Sequence, residues 1–175
     1  LVDCGMIDAV LDITTTVVAD EVVGGAFKAG PKRFEAIIDR QIPYVMSLGA
    51  LDMVNFGAKD TVPAPFANRK FHVHNSQVTL MRTSPDENRQ FAQWIANKLN
   101  QAHAPMILLI PEKGVSSLGA PDQPFHDPEA DAALFDELEH AVTNANVIIK
   151  RLPHHINDPE FAQALLTNLS ELNEG

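Results

Sequence analysis

An α/β fold is predicted for this chain because short apolar runs alternate with amphipathic helical patterns along it. The run "MILLI", Met106–Ile110, has no polar alternation, which is typical of a central strand covered on both faces. A strand followed by a helix at short spacing gives parallel strands joined by helical crossovers. We therefore expect a Rossmann-like three-layer sandwich, with a mostly parallel sheet and helices on both faces.

The elements follow from the period of the apolar residues. A period near two, or an unbroken apolar run, predicts strands, and apolar residues three and four apart predict helices. The predicted strands are Ala9–Ile13, Tyr44–Ser47, Met106–Ile110 and Val147–Leu152, with Phe71–His74 as an additional edge strand. The predicted helices are Val17–Phe27, Lys32–Gln41, Asp86–Gln101, Ala130–Thr143 and Glu160–Leu172.

Three helix starts share one pattern, in which a capping residue precedes a proline and an acidic residue. The capping residues are Ser84, Asp127 and Asp158, and Glu87 completes a capping box with Ser84. This pattern favours a structural role for both aspartates. The helix near Pro31 differs because "KR" falls in its first turn, where positive charge is unfavourable. Those two side chains either point into solvent or meet an anion or a carboxylate from elsewhere.

Composition narrows the class of protein. Thirteen Lys and Arg against 23 Asp and Glu give a net charge of −10, which argues against nucleic-acid binding because affinity for phosphate backbones comes from basic residues. No apolar stretch has the length of a membrane span. The single cysteine, Cys4, excludes an internal disulfide, and no signal peptide is visible. We expect a cytoplasmic protein that contacts neither nucleic acid nor membrane.

The first residues predict a larger parent protein. The segment "LVDCG" suits a helix of about one turn that stops at Gly5, and a helix that short is not stable alone. We expect residues 1–175 to form a single α/β domain, the carboxyl-terminal half of a two-domain protein whose amino-terminal domain is absent from this sequence.

Polar side chains follow each of the four main strands, where ligands bind in open parallel sheets. We expect these side chains to converge on one site, with Arg82 as a further anion contact. The predicted ligand-binding residues are Thr14, Thr15 and Thr16 after the first strand, Asn55 after the second, Ser116 and Ser117 after the third, Asn157 after the fourth, and Arg82.

Three residues are candidates for chemistry at that site. His126 and His155 each lie beside a helix start and could transfer a proton, and Asp52 could orient the base or the substrate. Asp52 and Asn55 are three apart, so a helical turn would place them on one face. No HExxH, paired-cysteine or GxSxG pattern is present, so no metal site and no serine hydrolase site is predicted.

Six motifs, in order along the chain, carry a resemblance to a known family. They are "GxxDxVLDxTTT" (Gly5–Thr16), "GG…AGPxR" (Gly24–Arg33), "GALDMVNFG" (Gly49–Gly57), "HNxxVTLMRTxPxEN" (His74–Asn88), "FHDPEADAALFDxL" (Phe125–Leu138) and "HINDPxFA" (His155–Ala162). Together they resemble the carboxyl-terminal part of the uncharacterised bacterial, fungal and plant family that includes a tomato mosaic virus resistance protein.

The resemblance implies a two-domain protein of about twice this length. It implies that ATP, if bound at all, is held mainly through the absent amino-terminal domain, since the family's "ATP-binding" label refers mainly to that half. It also implies protein interaction, because the plant relative binds a viral replication protein and inhibits viral RNA replication. No catalytic residues come with the resemblance.

Two functions are consistent with these observations. The first is binding of a nucleotide or of a phosphorylated or carboxylated small molecule at the carboxyl edge of the sheet, at a cleft that faces the absent domain. The alternative is a non-catalytic interaction and dimerisation module, in which the same loops form a protein interface and the chain is a homodimer. The sequence leaves open whether any reaction is catalysed.

Overall fold

The computed structural model describes residues 2–174 and contains two β-sheets. The main sheet has four parallel strands in the order β1-β2-β6-β7. These strands are β1 (Val10–Thr14), β2 (Tyr44–Gly49), β6 (Met106–Pro111) and β7 (Val147–Leu152). The predicted α/β class and the mostly parallel sheet are confirmed.

Helices cover both faces of the main sheet. Side chains of β2 and β6 alternate between a large core, which includes Met46 and Leu108, and a smaller one formed with the last helix, which includes Val45 and Leu109. All residues of these two central strands are buried, as expected for runs without polar alternation. The helices are α1 (Thr16–Val23), α2 (Glu35–Arg40), α3 (Pro85–Leu99), α4 (Pro128–Ala141) and α5 (Pro159–Glu174).

A second, antiparallel sheet has the strand order β3-β5-β4, and most of it was not predicted. Its strands are β3 (Met53–Phe56), β4 (Phe71–Asn75) and β5 (Val78–Arg82). The predicted edge strand at residues 71–74 is confirmed as β4, but it lies in this sheet. The helical turn expected around Asp52 and Asn55 is wrong, because residues 53–56 pair with β5.

The helix starts largely agree with the predicted caps. Ser84 accepts a hydrogen bond from the N–H of Glu87, whose side chain returns the bond, so the capping box is present. Asp127 caps α4 through the N–H of Ala130. Asp158 differs, because its carboxylate accepts the N–H of His155 in the preceding turn.

Two further segments differ from the sequence prediction. The basic pair near Pro31 precedes the helix, which begins only at Glu35, and Arg33 forms an ion pair with Asp12 of β1. Of the two predicted alternatives for the basic pair, Arg33 thus shows the second, a contact with a carboxylate from another element. Residues 2–5 form a turn closed by a bond from the N–H of Gly5 to the carbonyl of Val2, not a helix, and residue 1 lies outside the described part.

Candidate functional site

A cavity of about 430 Å³ opens at the carboxyl edge of the main sheet, and we call it the edge cleft. It is bounded by the ends of β1 and β2, the loop after β6, the turn after β7 and the first turns of α5. Its lining residues are Ile13, Thr14, Gly49, Ala50, Val115, Ser116, Ser117, Ile156, Asn157, Asp158 and Ala162. This is the place where parallel sheets commonly bind ligands.

The floor of the edge cleft is formed by the close approach of β1 and β2. Strand β2 has one extra residue opposite β1, so the pairing shifts from Asp12 with Met46 to Thr14 with Gly49. A Cβ at Gly49 would lie 2.5 Å from the carbonyl oxygen of Ile13, so only glycine fits. Ala50 then takes a left-handed conformation, with φ of 57°, and its N–H donates to the carbonyl of Val115.

The loop from Gly114 to Gly119, the 114–119 loop, is held by a buried carboxylate. Ser116 Oγ donates to Asp52 Oδ2 at 2.5 Å and accepts the N–H groups of Leu118 and Gly119, each at 3.1 Å. Asp52 is fully buried, and burial raises its pKa, although Ser116 and the nearby Arg82 charge lower it in part. Among the described residues no hydrogen-bond partner is present for Asp52 Oδ1.

His155 joins the 114–119 loop to the turn after β7. Its Nε2 lies 2.9 Å from the carbonyl oxygen of Ser116, and its Nδ1 accepts the N–H of Asn157. The bond to Nδ1 places the proton on Nε2. Both ring nitrogens are therefore engaged within the wall of the edge cleft, and proton transfer by His155 requires one of these bonds to break.

A second cavity of about 370 Å³ lies on the other side of the 114–119 loop. It is lined by Gly114 and Gly119 of that loop, together with His126 and Asp131. The Nδ1 atom of His126 lies 3.2 Å from the carbonyl oxygen of Gly119. The 114–119 loop is thus a wall shared by two cavities, and His126 belongs to the second cavity and not to the edge cleft.

Arg82 is buried beneath the second cavity and does not reach the edge cleft. Its guanidinium forms an ion pair with Asp131 at 2.6 Å and donates to the carbonyl oxygens of Asp52 and Asp127. Burial raises the pKa of Asp131 to about 6, although Arg82 lowers it in part. The positive charge predicted for anion contact is therefore already paired inside the protein.

Asn55 and Thr16 belong to a third cluster, centred on the buried Asp20 of α1. Asp20 accepts the N–H groups of Asn55 and Phe27, and the Asn55 amide donates to Asp20 and to Thr16 Oγ1. Burial raises the pKa of Asp20, and these hydrogen bonds lower it in part. The cluster fixes the loop after α1 onto β3, which is a structural role.

The structure therefore brings together some of the predicted residues and separates others. Thr14, Ser116, Ser117 and Asn157 line the edge cleft, and Asp52 and His155 support its wall. Thr15 lies below the floor, where its hydroxyl donates to the carbonyl of Ser47. Thr16, Asn55, Arg82 and His126 lie elsewhere.

Sequence reasoning missed the contribution of Gly49 and Ala50 to the floor and of Ile156 to the wall. Glycine directly after a predicted strand was the available signal for Gly49, since it marks a close backbone approach. Nothing in the sequence pattern indicated the other two.

Within residues 2–174 no group of three or more His, Cys, Asp or Glu is arranged to hold a metal ion. In the same part of the chain, every helix is too short or too polar to cross a membrane.

The fold and the edge cleft define an α/β protein of the Rossmann-like kind with a ligand-sized cavity at the carboxyl edge of its parallel sheet. The chain belongs to the family described as "Uncharacterised protein family (UPF0261) C-terminal domain", whose model matches residues 1–173.

Its relatives come from a plant and from bacteria. It is 52% identical to the ToMV resistance protein Tm-1(GCR237) of Solanum lycopersicum over 99% of this chain and 23% of that protein. It is 52% identical to a UPF0261 protein of Rhizobium meliloti over 94% of this chain and 42% of that protein. A UPF0261 protein of Clostridium tetani is 47% identical over 99% of this chain and 43% of that protein. The chain thus spans about a quarter to two fifths of these relatives.

Proposed function

We propose that the edge cleft binds a small molecule of the nucleotide, phosphorylated or carboxylated class. The observation that carries this proposal is the convergence of Thr14, Ser116, Ser117 and Asn157 around one cavity from three separate strand ends. Four polar side chains on one cavity whose wall is braced by a buried carboxylate form a pre-organised arrangement, as small-molecule sites require. In the longer protein, the cleft would face another domain.

The proposal concerns binding and not a reaction. Asp52 is hydrogen-bonded to a serine, and both ring nitrogens of His155 are engaged in the wall. His126 lies in the second cavity. A role for Asp52 or His155 in chemistry would require a substrate that breaks their hydrogen bonds with the 114–119 loop. Binding of ATP remains a proposal for the longer protein.

The test is a thermal-shift and calorimetry screen of the chain and of the longer protein against ATP, sugar phosphates and di- and tricarboxylates. We expect at least one compound to raise the melting temperature in the wild type. The double variant Ser117→Ala/Asn157→Ala should lose that shift because both exposed side chains line the cleft. The matched control Ser170→Ala/Asn173→Ala changes the same residue types on the exposed side of α5 and should keep it.

The alternative function is a non-catalytic interaction or dimerisation module. The tomato relative is named for ToMV resistance, which suits an interaction module as well as a binding protein. This alternative predicts no stabilisation by any compound, together with a dimer in sedimentation velocity that Asp52→Ala leaves intact. That combination of results would exclude the proposed small-molecule site.

A further inference from the structure

We propose that the group seated in the edge cleft is an uncharged polyhydroxylated one, a sugar ring or a polyol, and that any phosphate or carboxylate of the ligand lies outside it. This inference rests on the proposed function and narrows it. It follows from the charges, the hydrogen-bonding groups and the apolar surface of the lining residues.

The charges of the lining disfavour an anion. None of the eleven lining residues is Lys, Arg or His, and the only ionisable one is Asp158. Lys113 and Arg151 line the second cavity, and Arg151 is already paired with Asp136 and Glu139. A phosphate in the edge cleft would lose hydration without gaining a cation, which costs free energy.

The start of α5 and the N–H of Thr15 do not supply the missing positive charge. Helix α5 starts beside the cleft with Pro159, which has no N–H, and the next residue is Glu160, whose charge repels an anion. The N–H of Thr15, before α1, donates to the carbonyl of Gly49. The start of α5 therefore lacks the cradle of free N–H groups that anion sites use, and the N–H of Thr15 is already bonded.

The hydrogen-bonding groups of the lining match hydroxyls. Ser117 Oγ accepts the amide N–H of Asn157 at 3.0 Å, so its own proton is left to donate to a ligand. The hydroxyl of Thr14 and the amide of Asn157 are exposed, and each can both donate and accept. A sugar or polyol hydroxyl is likewise both donor and acceptor, so it can donate a hydrogen bond to these side chains or accept one from them. A phosphate dianion only accepts.

Apolar surface beside these groups suits the C–H face of a sugar ring. Ile13, at 38% exposure, and Ile156 both line the cleft between its polar groups. A mixed lining of this kind, with a few polar groups among apolar ones, is typical of small-molecule sites.

The experiment is saturation-transfer NMR of the wild-type chain with D-ribose, myo-inositol and succinate, with binding of orthophosphate followed by 31P line broadening, each compound at millimolar concentration. We expect transfer to ribose or inositol that orthophosphate and added salt leave unchanged. The signal should fall several-fold in Ser117→Ala/Asn157→Ala and be lost in Ala162→Phe, which fills the cleft from an exposed position. It should persist in the control Ser170→Ala/Asn173→Ala. Circular dichroism verifies that each variant is folded.

Two results would overturn the inference, and they separate it from the proposed function. If orthophosphate or succinate binds the wild type but not Ala162→Phe while both neutral compounds fail, the ligand class is wrong but the edge cleft is a small-molecule site. If no compound binds here and none gives a thermal shift that Ser117→Ala/Asn157→Ala removes, both proposals fail.

Discussion

Three fully or nearly buried carboxylates are accommodated in three different ways. Asp20 accepts backbone N–H groups, Asp131 pairs with Arg82, and Asp52 has a single serine hydroxyl on one oxygen. Burial raises the pKa of all three, because the charged form loses its hydration. The pKa of Asp131 is raised to about 6 in spite of its ion pair with Arg82, because burial outweighs that pair and the nearby charges of Asp52 and Asp127 raise it further.

The raised pKa of Asp131 makes its contribution to the free energy of unfolding depend on pH. Its pKa is about 6 in the folded protein against 3.8 for an ordinary aspartate, so the folded state holds the proton more tightly. Stability from this group is therefore present at low pH and is lost as pH rises from about 4 to about 6, by up to about 3 kcal/mol. Asp131→Asn should remove this pH dependence of the free energy of unfolding.

The measurement is urea unfolding of the wild type and Asp131→Asn at several pH values. The stability advantage of the wild type should be largest near the acidic end and shrink toward neutral pH. Asp136→Asn is the matched control, since its exposed carboxylate lies on the same helix. Parallel pH profiles for wild type and Asp131→Asn would show that Asp131 is ionised throughout.

Residue types on the sheet edge could be predicted, but their partners could not. Thr14, Ser116, Ser117 and Asn157 follow strands, and the rule for parallel sheets placed them together. Asp52 and Asn55 were expected on one face of a helical turn. Asp52 instead lies just before β3 and contacts Ser116, and Asn55 lies within β3 and contacts Asp20. Three-residue spacing puts side chains on one face in a helix but on opposite faces in a strand.

Among the elements, the carboxyl end of β2 is the one with the tightest packing tolerance. Gly49 lies against the backbone of β1, and Ile156 Cδ1 would be 3.0 Å from a Cβ at this position. The carbonyl of Ile13 cannot withdraw without disturbing the pairing of β1 with β2. Packing of the cleft floor therefore depends on the absence of a side chain at residue 49.

Gly49→Ala should lower the free energy of unfolding by about 2 kcal/mol or more, because overpacking against backbone forces a main-chain shift. Gly57→Ala is the control, since a Cβ there would meet only the flexible side chain of Thr61. Urea denaturation of the two variants measures the difference. Equal midpoints for Gly49→Ala and wild type would contradict the close approach of β1 and β2.

Strands of the parallel sheet were easier to predict than those of the antiparallel one. Long apolar runs such as "MILLI" are buried on both faces and give a clear signal. The four-residue β3 is too short to show a period, and β5 is buried along most of its length, so it lacks polar alternation as well. Their existence depends on pairing with each other, which is a non-local property.

For the molecule as a whole, both sheets share one hydrophobic core. Val54 of β3 and Met81 of β5 lie in the same buried cluster as Met46 and Leu108 of the main sheet. Trp94 of α3, the only tryptophan of the chain, packs against this cluster. Unfolding of the two sheets should therefore be coupled.

Val54→Ala should lower stability by about 2 kcal/mol through lost burial and a residual cavity. Trp94 fluorescence and far-ultraviolet circular dichroism should report the same, lowered urea midpoint. Separate midpoints for the two signals would show that the sheets unfold independently. Leu166→Ala is the control, since it removes an apolar side chain from an exposed position of α5 and leaves the hydrophobic core intact.

The 114–119 loop has a consequence for how this protein can change. Val115 to Ser117 face one cavity while Gly114 and Gly119 face the other, and Asp52 fixes both sides through a single serine. An insertion, a deletion or a bulkier residue there would reshape two compartments together. A change in the loop that alters the shape of one cavity would thus also alter the other cavity, which constrains such changes. Random mutagenesis should therefore yield variants with altered ligand specificity in the β7–α5 turn more often than in this loop.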